Sequence, residues 1–149
     1  MQYFIEITAK SGKTTTIDCA SNDKLSNAFR NISIKSDTPA KNVKDRATNI
    51  LVKMKLEMMI DANTKDICRD LMEWSLSSKG EDVHRTVTVK VSNNQNIIRT
   101  YKIPNMFVED YKELYSMKTL DNDATDTGVF FLKLIQLAGE TGNIEQLSE

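Results

Sequence analysis

The stretch "NILVKMKLEMMIDANTKDICRDLMEWSLSSKG", residues 49–80, changes its hydrophobic period halfway along. Up to residue 60 the apolar side chains alternate with Lys53, Lys55 and Glu57, which is the period of a half-buried strand. From Asp61 onward the apolar residues recur every three to four positions, which is the period of an amphipathic helix. The stretch therefore predicts a strand with one charged face, followed by a helix over residues 63–77.

The predicted helix has two distinct sides. Ile67, Leu71 and Trp74 fall on one stripe, whereas Arg69 and Glu73 fall on the polar side. Trp74 is thus expected in the core. Lys79 and Gly80 follow as a cation and a glycine, which are typical residues at the end of a helix.

Most of the remaining chain alternates with a period of two. Residues 2–20 predict a hairpin around a "SGK" turn, and residues 21–34 are compatible with one helical turn followed by a short strand. The turn "NNQN" predicts a second hairpin, and in "IPNMFVEDYKELY" the Pro-Asn pair predicts a corner after which the sheet continues. "VFFLKLIQLAG" predicts a closing strand. The expected fold is mainly β with one amphipathic helix, an antiparallel β-barrel or sandwich.

A chain of 149 residues fits one domain. We expect a hairpin extension over residues 1–34, a long polar loop over 35–48, a core barrel over 49–138 and a tail over 139–149. A polar loop of this length is unusual in a compact domain and is typically functional or disordered.

The composition favours neither a nucleic-acid groove nor a membrane-surface patch. The 20 basic and 21 acidic residues give a net charge of −1, and no basic stripe runs along the chain. No apolar run approaches the roughly 20 residues of a membrane span. The N-terminal segment predicts a strand rather than a signal peptide. Cys19 and Cys68 are too few and too far apart for a disulfide framework, so a reduced, cytosolic setting is expected.

Catalytic patterns are lacking in the sequence. The single histidine, His84, starts a predicted strand, and no residue pattern marks a nucleophile beside it. The acidic loop "LDNDATDTG" lacks the length and the closing glutamate of a calcium loop. Glu109 and Asp110 are neighbours in an extended segment and should point to opposite faces, so they cannot form an acid–base pair. We expect no enzyme, no cofactor and no metal.

The order of elements resembles the tube-forming proteins of contractile phage tails, of type VI secretion and of phage-like bacteriocins. The similarity covers roughly residues 49–138. Its local features are a strand ending in "MMID", a helix ending in "WSLSS", then "RTVTVKV", "IIRTYKIPNMFVEDYKE" and "GVFFLKLIQLAG". The resemblance implies a tail-tube type of β-barrel whose copies associate side by side, usually as six, into rings that stack into a hollow tube.

The resemblance also implies where contacts would form. Lys53, Lys55 and Glu57 are candidates for the lumen-facing side. Candidates for inter-subunit or inter-ring contact are Pro39, Val43 and Arg46 in the long loop, with Arg69 and Glu73 on the helix.

The implied partners are further copies of the chain and sheath, baseplate or hub proteins, with DNA or protein only as lumen content. Assembly would take place in a bacterial cytoplasm, and the product would be a tail particle. The subunit would belong either to the repeating tube or to a tube-initiating baseplate or hub ring. The alternative is a monomeric β-barrel that acts as a binding module or assembly adaptor.

Overall fold

A computed structural model describes residues 1–37, 51–117, 126–136 and 144–147 of the chain. Within these residues the chain forms an antiparallel sheet with two helices. The strands are β1 (Gln2–Ala9), β2 (Thr14–Asp18), β3 (Phe29–Asp37), β4 (Leu51–Met59), β5 (Arg85–Asn93), β6 (Asn96–Met117), β7 (Asp126–Gln136) and β8 (Glu145–Leu147). The helices are α1 (Asp23–Ala28) and α2 (Lys65–Leu76).

The strands pair in the order β2-β1-β5-β6-β7-β4-β3, and β8 pairs with β6 beside this path. All of the pairings are antiparallel. The predicted fold class, mainly β with an amphipathic helix, is therefore confirmed.

β6 connects the two halves of the sheet, one formed with β2, β1 and β5 and the other with β7, β4 and β3. Its first part pairs with β5 as far as Met106, and from Met106 onward it pairs with β7. Pro104 and Asn105 stand at this change of partner, and Asn105 has a φ of 56°, in the left-handed region that asparagine tolerates. Gln136 donates from Nε2 to the carbonyl oxygen of Pro104 at 3.2 Å. The predicted corner is thus confirmed, and one strand of 22 residues runs through it.

The core lies between these two halves. Along β4 the buried residues are Val52, Met54, Leu56 and Met58, as the alternation predicted. Residues from the opposite half, including Ile5 and Val89, are fully buried in the same cluster. The rings of Tyr3 and Phe29 stack at 4.4 Å and join β1 to the start of β3. A single apolar cluster therefore joins all of the long strands.

The N-terminal hairpin is paired into the same sheet as the rest of the described strands. β1 pairs with β5 over its whole length, and Ile5, Ile7 and Ile17 have no exposed surface. The alternation in residues 2–20 indicated a strand pair but not its neighbour, because pairing between distant segments leaves no local signal. Since β1 occupies an inner position of the sheet, its removal would expose β5 and the core.

Two boundaries differ from those predicted. β3 runs on to Asp37, so the first three residues of the expected loop are strand, and Lys35 lies opposite Lys53 in β4. Pairing with β4 thus overrides the polar composition of this segment. α2 ends at Leu76, because Ser77 adopts extended backbone, and Gly80 lies in the turn that follows, with a φ of +92°.

α2 packs its apolar stripe against the sheet. Ile67, Cys68, Leu71 and Trp74 are buried, which confirms Trp74 as a core residue. The indole N–H of Trp74 donates to the carbonyl oxygen of Val83 at 2.8 Å. Among the described residues, no helix is long and apolar enough to cross a membrane.

Candidate functional site

The sheet half formed by β3, β4, β7 and residues 107–117 of β6 has an outer face that points away from the core. Three rows of directly opposed residues cross this face. They are Lys35–Lys53–Ile135–Phe107, Ser33–Lys55–Lys133–Asp110 and Asn31–Glu57–Phe131–Lys112. We call this surface the outer face. It carries all three residues predicted to face a lumen, and the opposite face of the same strands lies in the core.

A β-bulge in β6 changes which side chains reach the outer face. The register between β6 and β7 shifts between Val108 and Asp110. Val108 and Tyr111 both pack against the core although they are three residues apart. The extra residue brings Glu109 and Asp110 to the same exposed side.

The prediction that these two carboxylates point to opposite faces is therefore wrong. It assumed a regular period of two, which a bulge interrupts. The change of parity between the apolar residues Val108 and Tyr111 was the signal in the sequence that could have revealed it.

The outer face contains two adjacent concavities with different charge. The first, of about 150 Å³, is lined by Ser33, Lys35, Lys53, Lys55, Glu109 and Lys133. The second, of about 250 Å³, is lined by Lys55 and Lys133 together with Glu57, Asp110 and other residues. Positive charge is therefore concentrated at one end of the face and balanced at the other.

Lysines from three strands build the first concavity. Lys35 lies directly opposite Lys53, and Lys55 directly opposite Lys133. Like charges in such cross-strand positions destabilise a sheet, since their Cβ atoms are only about 5 Å apart. The sequence analysis found no basic stripe because these lysines lie in distant segments and meet only through strand register.

The outer face has unpaired strand edges on both sides among the described residues. β3 ends the sheet path and pairs only with β4. On the other side, residues 107–117 of β6 pair only with β7, because β5 leaves β6 at the corner. An unpaired edge offers backbone N–H and C=O groups to a further strand.

The helix residues predicted at an interface lie on the exposed side of α2. Arg69 contacts Asp66 at 3.3 Å and Asp70 at 3.8 Å, both in its own helix. Glu73 contacts the Nζ of Lys13 at 3.1 Å, and this ion pair ties α2 to the turn between β1 and β2. Glu73 thus already has a partner within the chain. Pro39, Val43 and Arg46, the predicted loop contacts, lie outside the described residues.

The titratable groups with shifted pKa values do not form an activated nucleophile. Burial raises the pKa of the Cys19 thiol to about 11 and also raises the pKa of Cys68. Burial and a hydrogen bond to Glu113 raise the pKa of Tyr111 far above its ordinary range. The raised pKa values of Cys19, Cys68 and Tyr111 favour the neutral form, whereas a nucleophile needs the ionised one. His84 is half-buried, and its ring meets that of Phe107 edge-on at 5.7 Å.

The described residues contain no group of three or more histidine, cysteine or acidic side chains placed to hold a metal. Asp121 and Asp123 of the acidic loop lie outside the described residues, and Asp126 begins β7.

Comparison with solved structures finds similar chains. The tube-terminating cap of the anti-feeding prophage matches with a TM-score of 0.50 and 11% identity, over 97% of this chain and 88% of that chain. The baseplate structure of the same prophage matches with a TM-score of 0.49 and 12% identity, over 99% and 93% of the two chains. Hcp1 from Flavobacterium johnsoniae matches with a TM-score of 0.47 and 12% identity, over 98% and 99%.

Comparisons by sequence find no match. No protein-family model matches the chain. No curated protein matches it significantly either. The resemblance inferred from the order of elements is thus confirmed at the level of the fold, by the likeness to the prophage cap.

Proposed function

We propose that this chain is a structural subunit of a contractile tail or injection-system tube. Copies associate side by side into a ring, six-fold by analogy with the tube-forming proteins that the sequence resembles. The observation that carries the proposal is the sheet half of β3, β4, β7 and β6. Among the described residues it has an unpaired edge on each side and a charged face turned away from the core. The fold shared with a tube-terminating cap supports it.

The two edges suggest how the ring closes. The β3 edge of one copy pairs with the edge of residues 107–117 in the next copy, so that the four-stranded halves join into one continuous barrel. Such head-to-tail contacts generate a ring when the rotation closes. The outer face, with Lys53, Lys55 and Glu57, then lines the lumen.

Within a particle the partners are other copies and the neighbouring sheath, baseplate or hub proteins. Pro39, Val43 and Arg46 are proposed contacts between subunits or rings, and Arg69 is the helix residue proposed to meet a neighbour. Glu73 belongs to the same surface, where its ion pair with Lys13 is the alternative to an intermolecular contact. Assembly in a bacterial cytoplasm precedes incorporation into the tail particle.

The solution mass of the purified protein, with negative-stain images of the same sample, tests the proposal. Rings are the expected result. Stacked rings would assign the chain to the repeating tube, and single rings to a terminal cap, baseplate or hub position. A strict monomer at high concentration would contradict ring formation by this chain alone and would favour an assembly adaptor that needs a partner to cover its edges.

A further inference from the structure

We infer, on the basis of the ring proposed above, that opposite charges on the two edges of the outer face decide which edge meets which. Lys35 on the β3 edge of one copy contacts Glu109 and Asp110 on the β6 edge of the next copy. The partner at each edge is therefore a second copy of this chain, and the three residues determine the specificity of the junction.

The two edges carry charges of opposite sign. β3 exposes Arg30 and Lys35, and it has no acidic residue before Asp37. The β6 edge has three acidic residues and one lysine, and Glu109 and Asp110 among them are exposed. Because the bulge turns both of these carboxylates to the same side, their charges act together at one point of the edge.

Lys35 lies at nearly the same level along the strands as the two carboxylates. The row that starts at Ser33 in β3 ends at Asp110 in β6, and the row that starts at Lys35 ends at Phe107, beside the bulge. The flexible four-carbon stem of lysine can cover an offset of about one or two residues. Among the described residues, Lys35, Glu109 and Asp110 form no ion pair within the chain, so their charges are available to a neighbour.

The strand directions allow this contact in a ring. Three antiparallel pairings lead from β6 through β7 and β4 to β3, so β3 and β6 run in opposite directions. Rotation about an axis along the strands keeps these directions, and β3 of one copy would meet β6 of the next copy as a further antiparallel pair. The hydrogen-bond pattern of the four strands would thus continue across the junction.

The charges disfavour the two alternative contacts between copies. Two-fold pairing of β3 with β3 would bring Arg30 and Lys35 of one copy against the same residues of another. Pairing of β6 with β6 would bring Glu109 and Asp110 of two copies together. Since like charges that face each other across an interface weaken binding, head-to-tail association is the contact that the edge charges favour.

Light scattering of two charge-reversal variants of the full chain, alone and mixed, tests the inference. Lys35→Glu and the double variant E109K/D110K each place like charges at every junction. Each variant alone should need about tenfold or more protein to assemble. An equimolar mixture should assemble like the parent in an even-numbered ring with alternating variants. The reversed β3 edge of one variant then meets the reversed β6 edge of the other, and the two unreversed edges meet at the next junction.

Control variants separate the edge charges from net charge and from folding. K10E and E6K/E81K make the same changes of net charge away from both edges and should assemble like the parent. Thermal unfolding reports whether each monomer is folded. E109Q/D110N removes the two carboxylates without adding lysines, and it should assemble several-fold more weakly even if E109K/D110K does not fold.

The outcomes distinguish this inference from the proposed ring. If rings of the parent persist in either folded charge-reversal variant, or if the folded variants do not assemble when mixed, the ring stands and the charge pairing is wrong. A two-fold dimer as the end product would also overturn it. A parent that stays monomeric at high concentration would contradict the ring itself, and the inference with it.

Discussion

Cys19 shows, at the scale of one residue, how burial suppresses reactivity. It lies at the end of the N-terminal hairpin and is 3% exposed. Burial raises the pKa of its thiol to about 11, and the nearby charge of Asp18 adds to this. Only the thiolate attacks a disulfide reagent.

We therefore predict that the folded protein reacts very slowly with a thiol reagent at pH 8. At that pH about one Cys19 thiol in a thousand would be ionised, compared with about one in four for an ordinary thiol. The rate should rise with pH toward 11, and in urea both cysteines should react fast. Rapid labelling of the native protein at pH 8 would contradict this burial.

The raised pKa of Cys19 also makes the free energy of unfolding depend on pH. The folded-state pKa is raised above the unfolded value, so the neutral thiol contributes stability that is present below the unfolded pKa. This contribution is lost as the pH rises from about 9 toward about 11. A Cys19→Ser variant should lack this part of the alkaline loss in urea unfolding.

Arg85 is a second informative residue, because it places a guanidinium group in the core. Its Nε donates to the carbonyl oxygen of Asp82 at 2.8 Å, and the group lies 4.9 Å from the ring centre of Trp74. Its Nη1 has no hydrogen-bond partner among the described residues. Burial lowers the pKa of Arg85, which reflects the cost of desolvating its charge.

We predict that Arg85→Met leaves the free energy of unfolding within about 1 kcal/mol of the parent, because packing is kept while a buried charge is removed. Arg85→Ala should cost about 2–4 kcal/mol, since it leaves a cavity beside Trp74. Urea unfolding of both variants checks this. An equal loss of unfolding free energy in the two variants would mean that the charge of Arg85, rather than its volume, stabilises the fold.

At the scale of elements, the strand register places Lys35 opposite Lys53 and Lys55 opposite Lys133. Replacing Lys55 by glutamate puts a carboxylate opposite Lys133 in β7 and beside Ser33 in β3. We predict that Lys55→Glu raises the free energy of unfolding by about 0.5–1 kcal/mol, as a repulsive cross-strand pair becomes attractive.

Urea unfolding at low and high salt checks this gain, which should shrink as salt screens the pair. Lys10→Glu makes the same change of net charge in an exposed position at the β1–β2 turn, and it should have little effect. A loss of stability in Lys55→Glu would contradict the repulsion.

At the scale of the whole molecule, the outer face lies between two edges that no described strand covers, so its charge would be repeated around a ring. We predict that the Lys53→Glu/Lys55→Glu substitutions leave the monomer folded but alter ring assembly or passage through the lumen. Light scattering and negative-stain images give the oligomeric state, and thermal unfolding gives the state of the monomer.

The control is Lys10→Glu/Lys79→Glu, which makes the same change of net charge away from the outer face. If rings and particle function survive reversal of Lys53 and Lys55, these residues do not face a lumen. If the control variant disrupts rings equally, the loss of rings comes from the change of net charge and does not show that the outer face lines the lumen.

The sequence by itself determined those features that depend on local periodicity. The alternation around Lys53 and Lys55, the helical stripe of Ile67, Leu71 and Trp74, and the corner at Pro104 are written in neighbouring residues, because each follows from backbone geometry over a few positions. These features were enough to predict the fold class and the charged face of β4.

Only the tertiary structure decided how distant segments meet. It placed the N-terminal hairpin beside β5, brought Lys35 and Lys133 next to Lys53 and Lys55, and turned Glu109 and Asp110 to one face through a bulge. Strand order and register are set by the packing of the common core, and a shift of one residue reverses every side chain of a strand. A charge cluster assembled from three strands therefore has no signature along the chain.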